Sequence, residues 1–187
     1  MKNFARLLVF FVVLCFFARV ASAHGAHEHG VLLANVFVEG GSVSITMESP
    51  LANFLPFERS PATLKEAALV RAMAEKMRLP QSLFLFSEKA ECTLKKVSMA
   101  SPVLDPRLLA ADAPEKPVLA KADPSQGGHA DIDISAEYEC REPEELRELK
   151  SVIFHNFPAI HTIRLQMILP DGQRSAELTP KANTVGW

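Results

Sequence analysis

The stretch DIDISAEYEC, residues 131–140, has the most regular pattern in the chain and indicates its fold class. Apolar residues occupy every second position, and polar residues fill the positions between them. The apolar positions are Ile132, Ile134, Ala136, Tyr138 and Cys140. Successive side chains of a β-strand point to opposite faces of a sheet. The stretch therefore predicts a strand with one buried and one solvated face.

Two hairpins extend this sheet toward both ends of the chain. Residues 31–39 are rich in β-branched and aromatic side chains, and Gly40-Gly41 supplies the positive φ that a tight hairpin turn requires. The second arm, residues 42–49, alternates apolar and polar residues. Asp171-Gly172 predicts another hairpin between strands at 163–169 and 173–178. Both hairpins favour antiparallel pairing.

Helical signals separate these strands. Ser60 as N-cap and Pro61 at the first helical position predict a helix that runs to Arg78, and a second short helix is predicted at 144–150. Residues 92–101 are predicted as a strand, and residues 82–86 as a strand or a buried turn. The order ββαβ, then βαββ, predicts an α+β fold with a mainly antiparallel β-sheet and two helices packed on one face.

A long connection is predicted at residues 101–128. This segment contains five prolines and shows no sustained period, which is the composition of a solvated loop. Loops of this length without secondary structure are uncommon in compact domains, and they are usually functional or disordered.

The N-terminus has the pattern of a signal peptide. Lys2 and Arg6 precede an apolar run at 7–17, which is too short to span a bilayer as a stable helix. Small residues at 21–23 then form a cleavage pattern, so residues 1–23 are expected to be removed and residues 24–187 to form a single exported domain. Acylation of Cys15 is the competing interpretation, but Leu14 stands where lipoprotein sites have a small residue, so no stable membrane anchor is expected.

Two cysteines, Cys92 and Cys140, remain after the predicted cleavage. In an oxidising compartment a disulfide between them is expected, closing a loop of about 50 residues with roughly 4 kcal/mol of stabilisation. A thiolate metal site is the disfavoured alternative, because neither cysteine has a second one nearby in sequence. The disulfide would make the strands at 92–101 and 131–140 antiparallel neighbours.

Enzymatic and nucleic-acid-binding functions receive no support from the sequence. The formal net charge is -2, without a strongly basic segment, so a nucleic-acid groove is not expected. The chain lacks a nucleophile elbow, a zinc-protease motif and a glycine-rich phosphate loop. The carboxylate pairs at 144–145 and 131/133 have structural explanations, at a helix start and on the wet face of a strand. We therefore expect a protein that is not an enzyme.

Histidines near the predicted mature terminus form the candidate metal site. His27 and His29 are separated by one residue at the expected start of a strand, which would place their side chains on one face, about 7 Å apart at Cα. Zn²⁺ prefers four ligands, so His24 and a residue from elsewhere must complete the site. His129 is the candidate, because it follows Gly127-Gly128 and directly precedes a strand. A histidine-bearing terminus without a metal role is the alternative.

Four other residues are weaker candidates. His155 and His161 have no second histidine at ligand spacing, so both are expected to be ordinary surface or turn residues. Glu48 and Glu58 have ordinary hydrogen-bonding roles at a strand end and before a helix, and they remain reserve ligands.

Several ordered motifs resemble a known family. HEHG at 27–30, MESPLANFLPFERSP at 47–61, GGHADIDISAEYEC at 127–140 and FPAIHTIRLQMILPDGQRSAELTP at 157–180 are similar to the ZrgA-like family of exported, zinc-regulated proteins linked to zinc uptake. The resemblance implies a periplasmic zinc-binding role for His27 and His29, with His129 before the acidic strand. Members often carry a His/Asp-rich tract in the central loop, whereas residues 101–128 contain no histidine. This difference implies one or two ions per chain at most.

Three functions follow as hypotheses. The leading one is a periplasmic Zn²⁺-binding protein that assists a zinc ABC transporter or its binding protein. The second assigns the site to copper, because an N-terminal histidine chelates through its amine and ring, and Cu²⁺ outcompetes Zn²⁺ for nitrogen ligands. The third is a disulfide-stapled adaptor that binds a protein partner through residues 101–128, with incidental histidines.

Overall fold

The computed structural model describes residues 28–112 and 130–187. The predicted signal peptide and the part of the predicted loop from residue 113 onward lie outside these ranges. His24, His27 and His129 also lie outside them.

The described residues form strands and short helices in an α+β arrangement, as predicted. The strands are β1 (Val31–Glu39), β2 (Ser42–Pro50), β3 (Phe84–Phe86), β4 (Cys92–Ala100), β5 (Asp131–Cys140), β6 (Glu148–Ser151), β7 (Thr162–Leu169), β8 (Gly172–Leu178) and β9 (Thr184–Gly186). The helices are α1 (Leu64–Met77), α2 (Pro106–Leu109) and α3 (Ile153–Asn156).

The larger sheet has six strands in the order β4-β5-β2-β1-β7-β8. The predicted hairpins are present: β1 pairs antiparallel with β2, and β7 pairs antiparallel with β8. Gly40 has a φ of 56°, which explains the glycine at this turn. Strands β1 and β7 pair in parallel, with Val31 opposite Thr162. The first residues of β1 and β7 therefore lie at the same end of the sheet.

The two faces of this sheet differ as strand alternation predicts. One face supplies most of the core, including Val36, Ile45, Ile134 and Leu165, each at most 1% exposed. Helix α1 contributes its own apolar stripe to the same core, formed by Ala67, Val70, Met73, Ala74 and Met77. The opposite face of the sheet carries the exposed positions of each strand.

Strands β4 and β5 are joined by the predicted disulfide. Cys92 and Cys140 are opposite each other in the antiparallel register, and their sulfur atoms are bonded. The disulfide that the sequence analysis predicted between Cys92 and Cys140 is therefore confirmed. The bond links the β4 edge of the sheet to its neighbour.

Helix α1 begins later than the sequence analysis predicted. Its N-cap is Thr63, whose hydroxyl accepts a hydrogen bond from the Glu66 N–H at 3.1 Å. The Glu66 carboxylate accepts from the Ala62 N–H at 2.6 Å, so the Thr63 and Glu66 side chains each satisfy one backbone donor at the start of the helix. Ser60, the predicted N-cap, instead donates to the Val103 carbonyl at 2.8 Å. The Thr63 and Glu66 contacts outweigh the Ser60-Pro61 signal.

The predicted helix at 144–150 is wrong. Residues Pro143–Glu145 form one 3-10 turn, and Glu148–Ser151 form β6 in a three-stranded sheet of order β3-β6-β9. Leu149 lies opposite Phe86 on one side and Val185 on the other. A short helix gains few internal hydrogen bonds, whereas pairing with two strands satisfies the backbone of β6 on both sides. The predicted ββαβ-βαββ order and the packing of two helices on one face are therefore not observed, and α1 is the only described helix longer than four residues.

The first part of the predicted solvated loop packs four apolar side chains into the core. Asp105 caps α2 through its contact with the Arg107 N–H at 2.9 Å, and Pro106 occupies the first helical turn. Four apolar side chains around α2 are at most 7% exposed: Val103, Leu104, Leu108 and Leu109. Proline at the start of a helix costs no hydrogen bond, so the proline content here marked a helix start and not a loop.

No described helix is both long and apolar enough to cross a membrane.

Candidate metal centre

A tight turn before β1 positions His29. The Val31 N–H donates to the Glu28 carbonyl at 3.1 Å, which closes a four-residue turn over residues 28–31. Gly30, the third residue of the turn, has a φ of 83°, a conformation that glycine adopts without steric cost. His29 therefore lies in a turn and not in the extended strand that the sequence analysis expected. The spacing argument that placed His27 and His29 on one strand face does not apply, because β1 begins at Val31.

A buried asparagine anchors this turn. The Asn53 side chain is 3% exposed, and its Oδ1 accepts from the Gly30 N–H at 2.7 Å. Its Nδ2 donates to the Val31 carbonyl at 2.9 Å and to Ser49 Oγ at 2.8 Å. Buried polar groups persist where their hydrogen bonds are satisfied, and Asn53 satisfies both of its polar atoms on this turn and on the end of β2.

His161 closes the other side of the turn. The backbone N–H groups of His161 and Thr162 both donate to the Gly30 carbonyl, at 2.9 and 3.1 Å. A Cβ added to Gly30 would lie 1.9 Å from His161 Nε2, so the imidazole rests directly against the glycine. The sequence analysis expected an ordinary surface or turn histidine, and the side chain is indeed exposed. Its ring nevertheless packs on the residue that follows His29.

His29 is paired with Glu58. The atoms His29 Nε2 and Glu58 Oε1 lie 3.0 Å apart, and the side chains are 58% and 19% exposed respectively. Zn²⁺ bonds of about 2.0–2.2 Å at a tetrahedral angle separate two ligand atoms by about 3.4 Å. The observed pair therefore needs to open by only about 0.4 Å to hold an ion as two ligands. Glu58, a reserve ligand in the sequence analysis, is the carboxylate that the structure brings to a histidine.

The segment that carries Glu58 is attached to the start of α1. Arg59 donates to both carboxylate oxygens of Glu66, at 3.0 and 2.8 Å, and its guanidinium lies 5.3 Å from the centroid of the Phe57 ring. The Arg59 hydrogen bond and the Ala62 N–H lower the pKa of Glu66 to about 2. Arg59 therefore forms an ion pair with Glu66, whereas the neighbouring Glu58 contacts His29.

The start of β5 lies at the same end of the sheet. Asp131 is opposite Pro50 at the end of β2, and the Leu51 N–H donates to the Ala130 carbonyl at 2.7 Å. Strand β5 is two positions from β1 in the sheet, which corresponds to about 10 Å. Ala130, the residue that follows His129 in sequence, is therefore located near the turn that carries His29.

The other candidates lie elsewhere. Glu48 is on the exposed face of β2, opposite Leu33 and Asp133, and His155 is exposed on α3. Within residues 28–112 and 130–187, no group of three or more His, Cys, Asp or Glu side chains is arranged to hold a metal ion. The described residues thus contribute the pair of His29 and Glu58. His24, His27 and His129 lie outside the described ranges.

Sequence reasoning missed the supporting residues of this site. Asn53 accepts a hydrogen bond from Gly30, which is 23 positions away in sequence. His161 contacts Gly30 because β1 and β7 pair in parallel. Gly30 directly after a histidine was the one local signal, since glycine before a strand often marks a special backbone angle.

Comparison with known families identifies the group to which these motifs correspond. Residues 26–187 match the family described as ZrgA family zinc uptake protein. The matched range includes His27, His29, Glu58 and His129. The resemblance inferred from the four motifs is thereby confirmed. No curated protein matches the chain.

Proposed function

Because the chain belongs to the ZrgA family of zinc uptake proteins, we propose that it binds zinc in the periplasm and passes the ion to a zinc transporter. In this proposal the ion is cargo, and the protein is not an enzyme. The observation that carries the proposal is the 3.0 Å contact between His29 Nε2 and Glu58 Oε1 on two anchored segments.

Two of the proposed zinc ligands, His29 and Glu58, lie within the described residues, and the other proposed ligands lie outside them. His29 and Glu58 supply one imidazole nitrogen and one carboxylate oxygen, which are two of the donor types that Zn²⁺ uses in proteins. His27 and His24 precede His29 in sequence, and His129 directly precedes Ala130 at the same end of the sheet. We propose that these three histidines provide the remaining donors. The chain would then bind one ion, with His29 as one of its ligands.

The exposure of the pair supports transfer over permanent storage. Structural zinc sites are closed, four-ligand sites, whereas sites that exchange a ligand keep one position open. The His29 side chain is 58% exposed, so a ligand from an acceptor protein can reach an ion held there. We propose that the acceptor is a zinc ABC transporter or its binding protein.

Zinc is proposed over copper because the family is described by zinc uptake. Cu²⁺ binds nitrogen sites more tightly than Zn²⁺ in general, so affinity alone does not distinguish the two. Expression during zinc starvation, and not during copper stress, is the expected result. Induction by copper alone would instead support the copper hypothesis.

Zinc titration of single variants tests the site. Competition with a chromophoric chelator would measure the zinc affinity of the wild type, of His29→Ala and of Glu58→Gln. Loss of a direct ligand is expected to weaken binding by more than about 100-fold, whereas loss of a residue that only orients a ligand costs about 10–100-fold. His155→Ala is the matched control, because this histidine is exposed on α3 and no function is proposed for it.

The comparison of variants gives a clear result in either direction. We expect His29→Ala to lose most of the zinc affinity and His155→Ala to retain it. Equal affinity of the wild type, His29→Ala and Glu58→Gln would refute the proposed site. His129→Ala and His27→Ala then show which of these histidines belong to the same ion, because each true ligand lowers the affinity further.

A further inference from the structure

The second face of the six-stranded sheet has no cover among the described residues. Side chains on this face form rows that cross all six strands, as the pairing registers show. The middle row contains only small or amide-bearing polar residues: Ser98, Ser135, Thr46, Asn35, Gln166 and Ser175. A shallow trough of about 580 Å³ runs along this face. We refer to this surface as the open face.

Large apolar side chains flank the middle row of the open face. Leu33 is 45% exposed, Phe37 is 43% exposed and Ile168 is 48% exposed. Phe37 and Ile168 are direct neighbours in the parallel register, so they form one continuous apolar patch. Single exposed apolar residues are common, but adjacent ones are typical of an interaction surface. The same row carries the ion pair of Lys96 and Glu137 on its β4-β5 side.

Both outer rows of the open face carry charged side chains, and the row of Leu33 carries most of them. Glu48 and Asp133 are directly opposite each other on β2 and β5, and neither makes an ion pair with any described residue. Like charges at directly opposite positions destabilise a sheet. In the same row, on the other side of Leu33, Arg164 is half exposed and contacts Glu28 and Glu177. The row therefore has two carboxylates on one side of Leu33, and on the other side it has Arg164 next to the carboxylate of Glu177.

Asp133 and Arg164 occupy positions that are complementary between two copies of the sheet. The midline of the sheet lies between β2 and β1, and β5 and β7 are the second strands on either side of it. We consider a two-fold axis that runs parallel to the strands, along this midline and in the plane of contact. This axis places β5 of one copy over β7 of the other. Asp133 of each copy then faces Arg164 of the other copy, and Ser44 of each copy faces Phe37 of the other. No row places two like charges opposite each other: in the row of Phe37, Lys96 faces Gln173 and Glu137 faces Ile168 of the second copy.

We propose that the open face is the contact surface of a homodimer, formed by two copies of this chain with their sheets stacked face to face. Strands in the two sheets run in the same direction under this axis, which is the aligned packing that twisted sheets favour. The arrangement also places both turns that carry His29 at one end of the dimer.

The size of the open face predicts a reversible dimer. Five strand spacings are about 24 Å, and the three rows span roughly 20 Å, so the projected area is about 500 Å² per copy. Specific interfaces bury about 800 Å² of accessible surface per partner, and weaker ones bury less. The dimer is therefore expected to dissociate on dilution through the micromolar range.

Sedimentation velocity over a concentration series tests the proposal. The full chain is expressed without a tag, and all samples contain EDTA so that bridging zinc ions do not contribute. Four charge variants are compared: Asp133→Arg, Arg164→Asp, the double exchange, and Glu144→Arg as a control. Glu144 is exposed in the turn Pro143–Glu145, outside the six strands, and makes no ion pair in the described parts of the chain.

The expected result is a concentration-dependent dimer that each single exchange weakens by more than about tenfold and that the double exchange restores. Asp133→Arg removes the like-charge pair with Glu48, so loss of the dimer cannot be attributed to weakened folding; thermal unfolding of each variant verifies this. A monomer at every concentration would overturn the proposal. A dimer that all variants form equally would also overturn it, because the contact would then lie elsewhere.

Discussion

Replacing Gly30 with alanine tests the geometry of the turn that carries His29. Gly30 has a φ of 83°, and an L-residue in the left-handed region costs about 1–2 kcal/mol. The new Cβ would also lie 1.9 Å from His161 Nε2, so the ring must move away. Forcing an exposed side chain from its rotamer costs about 0.5–1.5 kcal/mol. Gly30→Ala is therefore expected to reduce the free energy of unfolding by about 1.5–3.5 kcal/mol.

A double-mutant cycle separates the two contributions. Equilibrium unfolding in urea would be measured for the wild type, Gly30→Ala, His161→Ala and the double variant. His161→Ala alone is expected to cost at most about 0.5 kcal/mol, because the side chain is exposed. In its background Gly30→Ala should cost only the backbone term, about 1–2 kcal/mol, which leaves a coupling of about 1 kcal/mol between the two positions.

Two outcomes would refute this reasoning. An unchanged free energy of unfolding for Gly30→Ala would mean that residue 30 does not need the left-handed conformation. An identical cost in the presence and absence of the His161 side chain would mean that the imidazole does not rest on Gly30. The zinc affinity of Gly30→Ala gives a second readout, because a distorted turn separates His29 from Glu58.

Three further perturbations test other parts of the structure. Asn53→Ala removes three buried hydrogen bonds and should cost about 2–4 kcal/mol in urea unfolding, whereas the exposed Asn35→Ala should cost little; equal costs would contradict the anchoring role. Replacing Cys92 and Cys140 by alanine opens a link across 48 positions and should cost about 4 kcal/mol, and a reductant should then have no further effect. The depressed pKa of Glu66, about 2, means that its contribution to stability is present above the reference value of 4.5 and is lost as the pH falls from about 4.5 to about 2. The difference in urea midpoint between wild type and Glu66→Gln should therefore shrink over that range, and a constant difference would contradict the Arg59 contact.

The candidate site was only partly predictable from the sequence. His29 and Glu58 were both considered, since a histidine cluster and a carboxylate in a recognisable motif are local features. Their contact joins positions 29 residues apart, and no periodicity in the chain indicates it. Asn53 was not considered, because a buried amide has no local pattern that distinguishes it from a surface amide.

The sequence by itself determined the strands of the main sheet, both hairpins and the Cys92 to Cys140 link. Strand alternation is a local property, since each side chain is buried or solvated according to its own position, and a hairpin turn needs only its own glycine. The tertiary structure alone decided that residues 148–151 form a strand and that the first part of the predicted loop packs apolar side chains into the core. It also decided that His29 contacts Glu58. These features depend on the free energy of contacts between distant segments, which outweighs weak local preferences only when the whole chain has packed.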